Sequence, residues 1–431
     1  MRLRSFLTLS LLLIQPASFA RARPVQIIVK DNVVIGDTVS LRATGLPPGK
    51  QVTIGAEIID RSGRIWRSSA DFTSTNRGEV DVSKQAPLAG SYSGVDPLGL
   101  FWSMEDTKEV SKDKSTFDTD QATTVTFRVT SEGKLLAERS QKRWRQMPGV
   151  TSIEVREKGL VATFFKPQGN RPRPGIILVG GSEGGIAWQK NTGAILASHG
   201  YASLALAYFG MEGIAGNLQK IPLEYCQEAI TWMAAHPSVD SRRLAVIGVS
   251  KGAELALLLG SRFPQIKAVA AYVPSAVVFQ CTAPGFPRVS SWSFKGEELP
   301  FVPYAPSERF AKSRKLVDLY DASLENQAAF DKAVIQVEKT QGPILLISGK
   351  DDSLWPSTKM SELIVARLKH NKFRHAYTHV AYDGAGHGIA RPGYFPTADT
   401  LRNGGSLQGN AHAQAKGWKE LLAFLARSLK G

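Results

Sequence analysis

The amino-acid sequence predicts two folded regions, a β-sandwich followed by an α/β region with a mostly parallel, doubly wound sheet. Three observations lead to this prediction. Between residues 24 and 139, short runs of strand-forming residues alternate with turn sequences. From residue 151 onward, apolar runs alternate with helical patterns, which is typical of parallel strands joined by helices. Within this second region, residues 244–261 combine an apolar run, a glycine-serine turn and a strong helix former.

The first residues have the features of a secretory signal peptide. Arg2 and Arg4 precede a short apolar run at 6–14, and small residues at 17–20 suit a cleavage site. The run is too short to span a membrane, although an uncleaved anchor is the alternative. No later stretch is long and apolar enough to cross a bilayer. We therefore expect residues 1–22 to be removed and the mature protein to be periplasmic or secreted.

Residues 23–145 are predicted to form an immunoglobulin-like β-sandwich. The strand-like runs are residues 25–29, 51–54, 79–82 and 124–129. The turns that separate such runs are residues 45–49, 61–63 and 131–133. Several short strands at this spacing indicate two packed sheets. Large apolar residues at 99–105 interrupt the pattern, and we expect them either in the sandwich core or in a patch that docks the second region.

Residues 146–431 are predicted to form the α/β region. Its expected strands are residues 176–179, 202–208, 244–247, 268–273, 344–347 and 378–381. Its expected helices are residues 187–199, 223–235, 253–259, 361–368 and 416–429. Residues 275–342 lack this alternation and mix proline and aromatic residues with a charged helical stretch at 308–331. We expect this insertion to form a cap over the functional site or a long surface excursion.

Charge and cysteine content restrict the partners. The formal net charge is +15, but basic and acidic residues are interleaved, and the tight basic group at 142–145 has no nucleic-acid-binding motif beside it. We expect no nucleic-acid partner and favour a solvated basic surface, with attraction to anionic lipids or acidic substrates as the alternative. Whether Cys226 and Cys281 pair stays open. The histidines and cysteines lack ligand spacing, so no metal and no other cofactor is expected.

The segment around Ser250 has the pattern of a nucleophile. Apolar residues 244–247 precede a G-x-S-x-G sequence at 248–252, and a helix is predicted to start at Lys251. Strand, sharp turn and helix form the nucleophile elbow of the α/β-hydrolase fold. The helix start directs free N–H groups and a positive dipole end toward charge that develops during attack. A structural turn is the alternative, because glycine and serine are common in turns.

Asp352 and His387 are the predicted acid and base, because serine, acid and histidine follow one another in this order in the fold. Asp352 comes just after the strand at 344–347, and its spacing from Gly349 favours it over Asp351, the second choice. An Asx turn is the alternative for this acid pair. His387 lies in a glycine-rich loop after the last strand, which can bring an imidazole over the serine hydroxyl.

Two backbone N–H groups are predicted to form an oxyanion hole. One belongs to Lys251, which follows the nucleophile, and the other to Ser182 in the glycine-rich loop 180–185. A loop of this kind could also hold a phosphate, but it has neither the P-loop lysine nor Rossmann glycine spacing, so nucleotide binding is set aside. The side chains of Glu183 and Lys251 are expected to be solvated, since both lie at helix starts.

These motifs resemble those of the acyl-coenzyme A thioesterases and bile acid-CoA:amino acid N-acyltransferases. The resemblance covers nearly the whole mature chain and is carried by residues 94–104, 205–209, 223–225, 248–255, 349–357 and 386–389. It implies an α/β-hydrolase fold behind a β-sandwich, with Ser250 as nucleophile, Asp352 as acid and His387 as base. It also implies that the substrate is an acyl thioester or a related carboxylic ester.

Two features depart from the family pattern. The acyltransferase branch has cysteine at the elbow, so Ser250 favours hydrolysis by water, with acyl transfer to an amine or alcohol as the alternative. Coenzyme A esters are cytosolic, whereas this chain is predicted to be exported. Either the substrate is another ester, thioester or acylated surface molecule, or the export prediction is wrong. A non-catalytic binding module is the third hypothesis, against which the order and context of the three site residues argue.

Overall fold

The computed structural model describes residues 24–60, 62–106 and 122–430. The predicted signal peptide, residues 1–22, lies outside this range, and so does Arg61 of the turn expected at 61–63. Among the helices of the described residues, none has the combination of length and apolar character that crossing a bilayer requires.

The N-terminal region consists of two sheets packed face to face. Its elements are β1 Gln26–Ile28, β2 Asn32–Val34, β3 Arg42–Thr44, β4 Gln51–Ile59, β5 Ile65–Thr73, β6 Val80–Asp81, β7 Ala89–Gly90, α1 Gly99–Trp102, β8 Glu105–Asp106, β9 Thr123–Ser131 and β10 Lys134–Trp144. One sheet has the order β1-β3-β6, and the other has the order β2-β10-β9-β4-β5-β7 with β8 beside β5. Buried and less buried residues alternate along β4 and β5, as expected when one face covers a core. The predicted β-sandwich is confirmed.

The second region is built on an eight-stranded sheet. Its elements are β11 Thr151–Val155, β12 Val161–Lys166, β13 Arg173–Val179, α2 Ala187–Ser198, β14 Ala202–Ala207, β15 Ile221–Pro222, α3 Leu223–Ala235, β16 Val239–Val249, α4 Lys251–Arg262, β17 Ile266–Tyr272, β18 Trp292–Phe294, β19 Glu297–Glu298, α5 Glu308–Ser313, α6 Leu316–Leu324, α7 Gln327–Ala333, β20 Ile344–Gly349, α8 Ser357–His370, β21 Tyr377–Tyr382 and α9 Leu407–Ser428. The strand order is β11-β12-β14-β13-β16-β17-β20-β21. Strands β11 and β12 are antiparallel at one edge, and the pairs from β14 to β21 are parallel.

The central strands are continuous apolar runs because helices cover both faces of the sheet. Along β13, Ile176 and Leu178 pack into the core formed with α2 and α9, whereas Ile177 and Val179 pack into the core formed with α3, α4 and α8. This arrangement confirms the predicted α/β-hydrolase fold. Since parallel strands end at a common edge, the segments that follow β13, β16, β20 and β21 come together there.

Residues 275–342 leave the sheet after β17 and return at β20. Their short strand β18 pairs with β15, and the charged stretch predicted as helical forms α5, α6 and α7. Phe279, Trp292 and Tyr320 are buried in the same core as α4. The insertion, called the cap below, is therefore packed against the helix that follows Ser250.

Candidate active site

Ser250 lies at a tight turn between β16 and α4. Its φ is 56° and its ψ is −123°, a backbone conformation that residues other than glycine rarely adopt. The turn depends on both flanking glycines. A Cβ atom at Gly248 would lie 2.0 Å from the Gly252 carbonyl oxygen, and one at Gly252 would lie 2.1 Å from the Gly180 carbonyl oxygen. The G-x-S-x-G sequence therefore forms an elbow of the expected shape.

Asp352 and His387 are in direct contact. The distance between Asp352 Oδ2 and His387 Nδ1 is 2.8 Å, and both residues are buried. The carboxylate also accepts hydrogen bonds from the Ser357 hydroxyl at 2.7 Å and from the Leu354 amide at 3.0 Å. These donors fix the carboxylate, and the carboxylate orients the imidazole, whose Nε2 is left on the far side of the ring. Asp351, the second choice, is exposed to solvent.

The loop that carries His387 is held by a segment to which the sequence patterns did not point. The His387 amide donates to the Asn403 carbonyl at 3.0 Å, and the Gly386 amide donates to Asn410 Oδ1 at 2.8 Å. A bridge joins Ala385 to Gly405. The glycine pair at 404–405, both with positive φ, is the sequence signal that could have marked this segment as a tight turn.

The two predicted oxyanion donors lie at the same edge of the sheet. Lys251 is the first residue of α4, so its amide belongs to the helix start that has no carbonyl partner within the helix. Ser182 lies in the loop after β13. That loop is close to the elbow, since a Cβ atom at Gly181 would lie 3.4 Å from Ser250 Cβ.

The expectation that the Lys251 side chain is solvated is wrong. It is 2% exposed, and its Nζ lies 2.8 and 2.9 Å from the carboxylate oxygens of Glu254. Burial lowers the pKa of Lys251 and raises the pKa of Glu254, while their mutual attraction opposes both shifts. The cap produces this burial, because the Phe279 carbonyl and the Trp292 ring close over the pair. Glu183, in contrast, is exposed as expected.

Cys226 and Cys281 are both free and buried, so they do not form a disulfide with each other. Burial raises the pKa of the Cys226 thiol to about 12, which leaves almost no thiolate at neutral pH. The thiol of Cys226 is therefore not a competing nucleophile.

Residues 36–157 match the family model described as acyl-CoA thioester hydrolase/BAAT N-terminal region, and residues 221–431 match BAAT / acyl-CoA thioester hydrolase C terminal. Mouse acyl-coenzyme A amino acid N-acyltransferase 2 is 31% identical over 94% of this chain and 97% of its own length. Mouse acyl-coenzyme A thioesterase 6 is 31% identical over 92% and 94%, and human bile acid-CoA:amino acid N-acyltransferase is 30% identical over 92% and 96%.

The chain belongs to the acyl-CoA thioester hydrolase/BAAT family. The resemblance predicted from the sequence motifs is thereby confirmed, and it extends through both regions of the chain.

The N-terminal motif at residues 94–104 docks the sandwich on the second region. Asp96 Oδ2 accepts hydrogen bonds from Trp102 Nε1 at 2.9 Å within the motif and from His412 Nε2 at 2.9 Å on α9. Phe101 lies in the sandwich core and also packs edge-on against Tyr394, with 5.4 Å between ring centroids. The apolar cluster at 99–105 therefore contributes to the sandwich core and also docks the second region.

Proposed function

We propose that this protein is a serine hydrolase that cleaves acyl thioesters through an acyl-enzyme on Ser250. The strained elbow carries this proposal, because it presents Ser250 at the sheet edge where the Asp352–His387 pair also lies. Membership of a family described as acyl-CoA thioester hydrolases supports the thioester as the bond that is attacked. A related carboxylic ester has the same reacting carbonyl and is a chemically equivalent substrate.

The proposed reaction has two steps. His387 Nε2 takes the proton of the Ser250 hydroxyl while its oxygen attacks the carbonyl carbon, and the Lys251 and Ser182 amides bind the oxyanion. The thiolate leaves and takes the proton from the imidazolium. Water then gives one proton to the same imidazole and attacks the acyl-serine. The bond to Ser250 breaks, the serine oxygen takes the proton back from the imidazolium, and the carboxylic acid is released. Asp352 keeps the imidazole in the required tautomer and stabilises its protonated form.

The test is a Ser250→Ala variant assayed on acyl-CoA thioesters and on aryl esters of matched chain length. Turnover should fall by several orders of magnitude, about 10⁴-fold or more, with circular dichroism unchanged. A fluorophosphonate probe should label the wild-type chain at Ser250 and leave the variant unlabelled. Near-native turnover in the variant would exclude the mechanism, and an unlabelled wild-type serine would favour the non-catalytic binding module.

Acyl transfer to an amine or alcohol is the second candidate. Two of the relatives above are named N-acyltransferases, and an acyl-serine can be attacked by an amine as well as by water. The products of one acyl thioester should be analysed with and without glycine, taurine or a lipid acceptor. Free acid alone in every mixture rules out transfer, whereas an amide or ester of the acceptor establishes it.

We also propose that residues 1–22 are removed on export and that the enzyme works outside the cytosol. The basic start, the short apolar run and the small residues before the cleavage position support this proposal. Its substrate would then be a thioester, ester or acylated surface molecule present in that compartment. Mass spectrometry of the mature N-terminus from native cells is the test. A chain that still begins at Met1 in the soluble fraction of the cytosol would contradict export.

A further inference from the structure

Tyr208, the residue after β14, makes a hydrogen bond to the loop that carries Ser182. Its hydroxyl donates to the Gly180 carbonyl oxygen at 2.6 Å and lies 3.4 Å from the Gly181 carbonyl oxygen. The side chain is fully buried, and this burial raises the pKa of Tyr208 well above its ordinary value. The hydroxyl therefore stays protonated, and stays a donor, at every pH at which an enzyme of this kind is assayed.

The Tyr208 hydroxyl contacts the carbonyls of two successive residues of the loop, and these contacts constrain where the next N–H points. In a trans peptide the N–H of one residue points opposite to the carbonyl of the residue before it. All peptide bonds of the described chain are trans. Because the Gly181 carbonyl faces the Tyr208 hydroxyl, the Ser182 N–H points away from Tyr208. The hydroxyl proton is donated to the Gly180 oxygen, and the Gly181 oxygen is held by the longer contact at 3.4 Å. Together the two contacts constrain the direction of the Ser182 N–H, one of the two proposed oxyanion donors.

A second contact of Tyr208 leads to the other donor. Its ring packs against Trp292, with 5.7 Å between centroids. Trp292 Nε1 donates to Glu254 Oε1 at 2.7 Å, and Glu254 is paired with Lys251, whose amide is the other proposed donor. A continuous buried path therefore joins the loop after β13 to the first turn of α4.

We propose that Tyr208 is a positioning residue for the oxyanion hole. Its hydroxyl orients the Ser182 N–H, and its contact with Trp292 holds the loop at a fixed separation from the start of α4. The inference rests on the proposed function and gives a role to Tyr208, which lies in the stretch 205–209 that carries the family resemblance. Preoriented donors stabilise an oxyanion more than mobile ones, because they do not reorganise when the charge forms. Tyr208 should therefore act on the transition state and leave substrate binding almost unchanged.

The test compares Tyr208→Phe with Tyr272→Phe. Tyr272 is a matched control, since its buried hydroxyl also donates to a main-chain carbonyl, that of Gly417 on α9, at 3.1 Å in the opposite core. Tyr208→Phe should lower kcat about 10- to 100-fold, less than the loss of a whole oxyanion donor, with KM within about threefold of wild type. Tyr272→Phe should keep kcat within about twofold, although both variants lose a buried hydrogen bond and some thermal stability.

A trifluoromethyl ketone analogue of the substrate separates positioning from a general structural effect. It forms a reversible tetrahedral adduct with a serine, and its oxyanion occupies the oxyanion hole. Its inhibition constant should rise in Tyr208→Phe by the same factor by which kcat/KM falls. Trp292→Phe, which keeps a ring beside Tyr208 but removes the bond to Glu254, should show the same pattern with a smaller loss. It also serves as the test if Tyr208→Phe does not fold.

Three outcomes would overturn the inference. They are a folded Tyr208→Phe variant with native kcat, a loss confined to KM, and an equal kcat loss in Tyr272→Phe. If Tyr208→Phe does not fold, a folded Trp292→Phe variant with native kcat and native affinity for the ketone also overturns it. Failure of the proposed function is distinguishable, because it requires activity in Ser250→Ala. If Ser250→Ala is inactive and Tyr208→Phe has native kcat, the proposed function stands and only the positioning role of Tyr208 is excluded.

Discussion

Ser250 has a backbone conformation that a serine does not adopt freely. Its positive φ costs on the order of 1–3 kcal/mol in a residue with a Cβ atom, and the surrounding elbow maintains it. Removing the Cβ atom should therefore stabilise the chain. We expect the free energy of unfolding of Ser250→Gly to be about 1 kcal/mol higher than that of Ser250→Ala, as measured by urea unfolding. At an unstrained position a glycine variant is normally less stable than an alanine variant. A lower stability of Ser250→Gly than of Ser250→Ala would therefore show that the elbow is not strained.

The two neighbouring carboxylates at 351 and 352 allow a matched comparison. Asp352→Asn keeps the size of the side chain but places an amide beside His387 Nδ1, which favours the wrong imidazole tautomer. We expect kcat to fall about 10³- to 10⁴-fold. Asp351→Asn, at an exposed position, should be close to wild type. Steady-state kinetics on one thioester decides the assignment, and equal losses in both variants would contradict it.

At the scale of elements, the first turn of α4 contains a buried ion pair that the cap encloses. Glu254 accepts hydrogen bonds from the Trp292 indole at 2.7 Å and from the Phe279 amide at 3.4 Å, in addition to its contacts with Lys251. Its neutral counterpart, glutamine, can accept the same two bonds but leaves the ammonium group without a counter-charge. Glutamine therefore removes both the counter-charge and the hydrogen bond that Oε2 accepts from Lys251 Nζ.

We expect Glu254→Gln to lower the free energy of unfolding by about 3–5 kcal/mol, because it leaves an uncompensated buried charge. Adding Lys251→Met should recover a large part of this loss, since both charges are then absent. Urea unfolding of the two single variants and the double variant measures the coupling. Losses that simply add would show that the two charges do not interact.

The burial of Lys251 shows where sequence patterns stop being informative at this scale. Glu254 lies three residues after it, a spacing that is visible in the sequence and equally common on exposed helix faces. What makes the pair buried is the cap, whose Trp292 and Phe279 come from a region without regular periodicity. Local patterns predict that α4 forms, but not what covers it.

At the scale of the whole molecule, Asp96 joins the two regions. Burial alone would raise the pKa of its carboxyl, but hydrogen bonds from His412 and Trp102 and from a backbone amide outweigh burial and lower it. Since the pKa in the folded state is below the ordinary value, the contribution of Asp96 to stability is complete above about pH 4. It is lost as the pH falls further, through the pKa of the folded state.

Asp96→Asn should therefore lower the free energy of unfolding by about 2 kcal/mol at pH 7 and at pH 5. The difference from wild type should shrink as the pH falls below about 4, where the unfolded chain binds the proton, and should vanish below the folded-state pKa, where the native carboxyl is also neutral. Urea unfolding at pH 7, 5 and 3.5 measures this. A difference that is the same at all three values would mean that the charge of Asp96 does not contribute.

Much of the architecture follows from local patterns, because a parallel sheet covered on both faces requires unbroken apolar runs such as those of β13, β16 and β20. The same patterns locate Ser250, Asp352 and His387, since each comes just after a recognisable strand. Asp96 and His412, in contrast, are 316 positions apart, and nothing in either neighbourhood indicates the other. Asn410 is similar, because its bond to the His387 loop depends on how α9 closes the fold.

The guanidinium of Arg143, in the basic group at 142–145, is completely buried between the sandwich and the second region. It donates to the Tyr394 carbonyl oxygen and lies about 5 Å from the rings of Phe101, Tyr394 and Phe395. A catalytic half produced without the sandwich would therefore expose an aromatic surface just downstream of His387. Exchanging sandwiches between relatives would for the same reason require the partner rings to be transplanted together with the arginine.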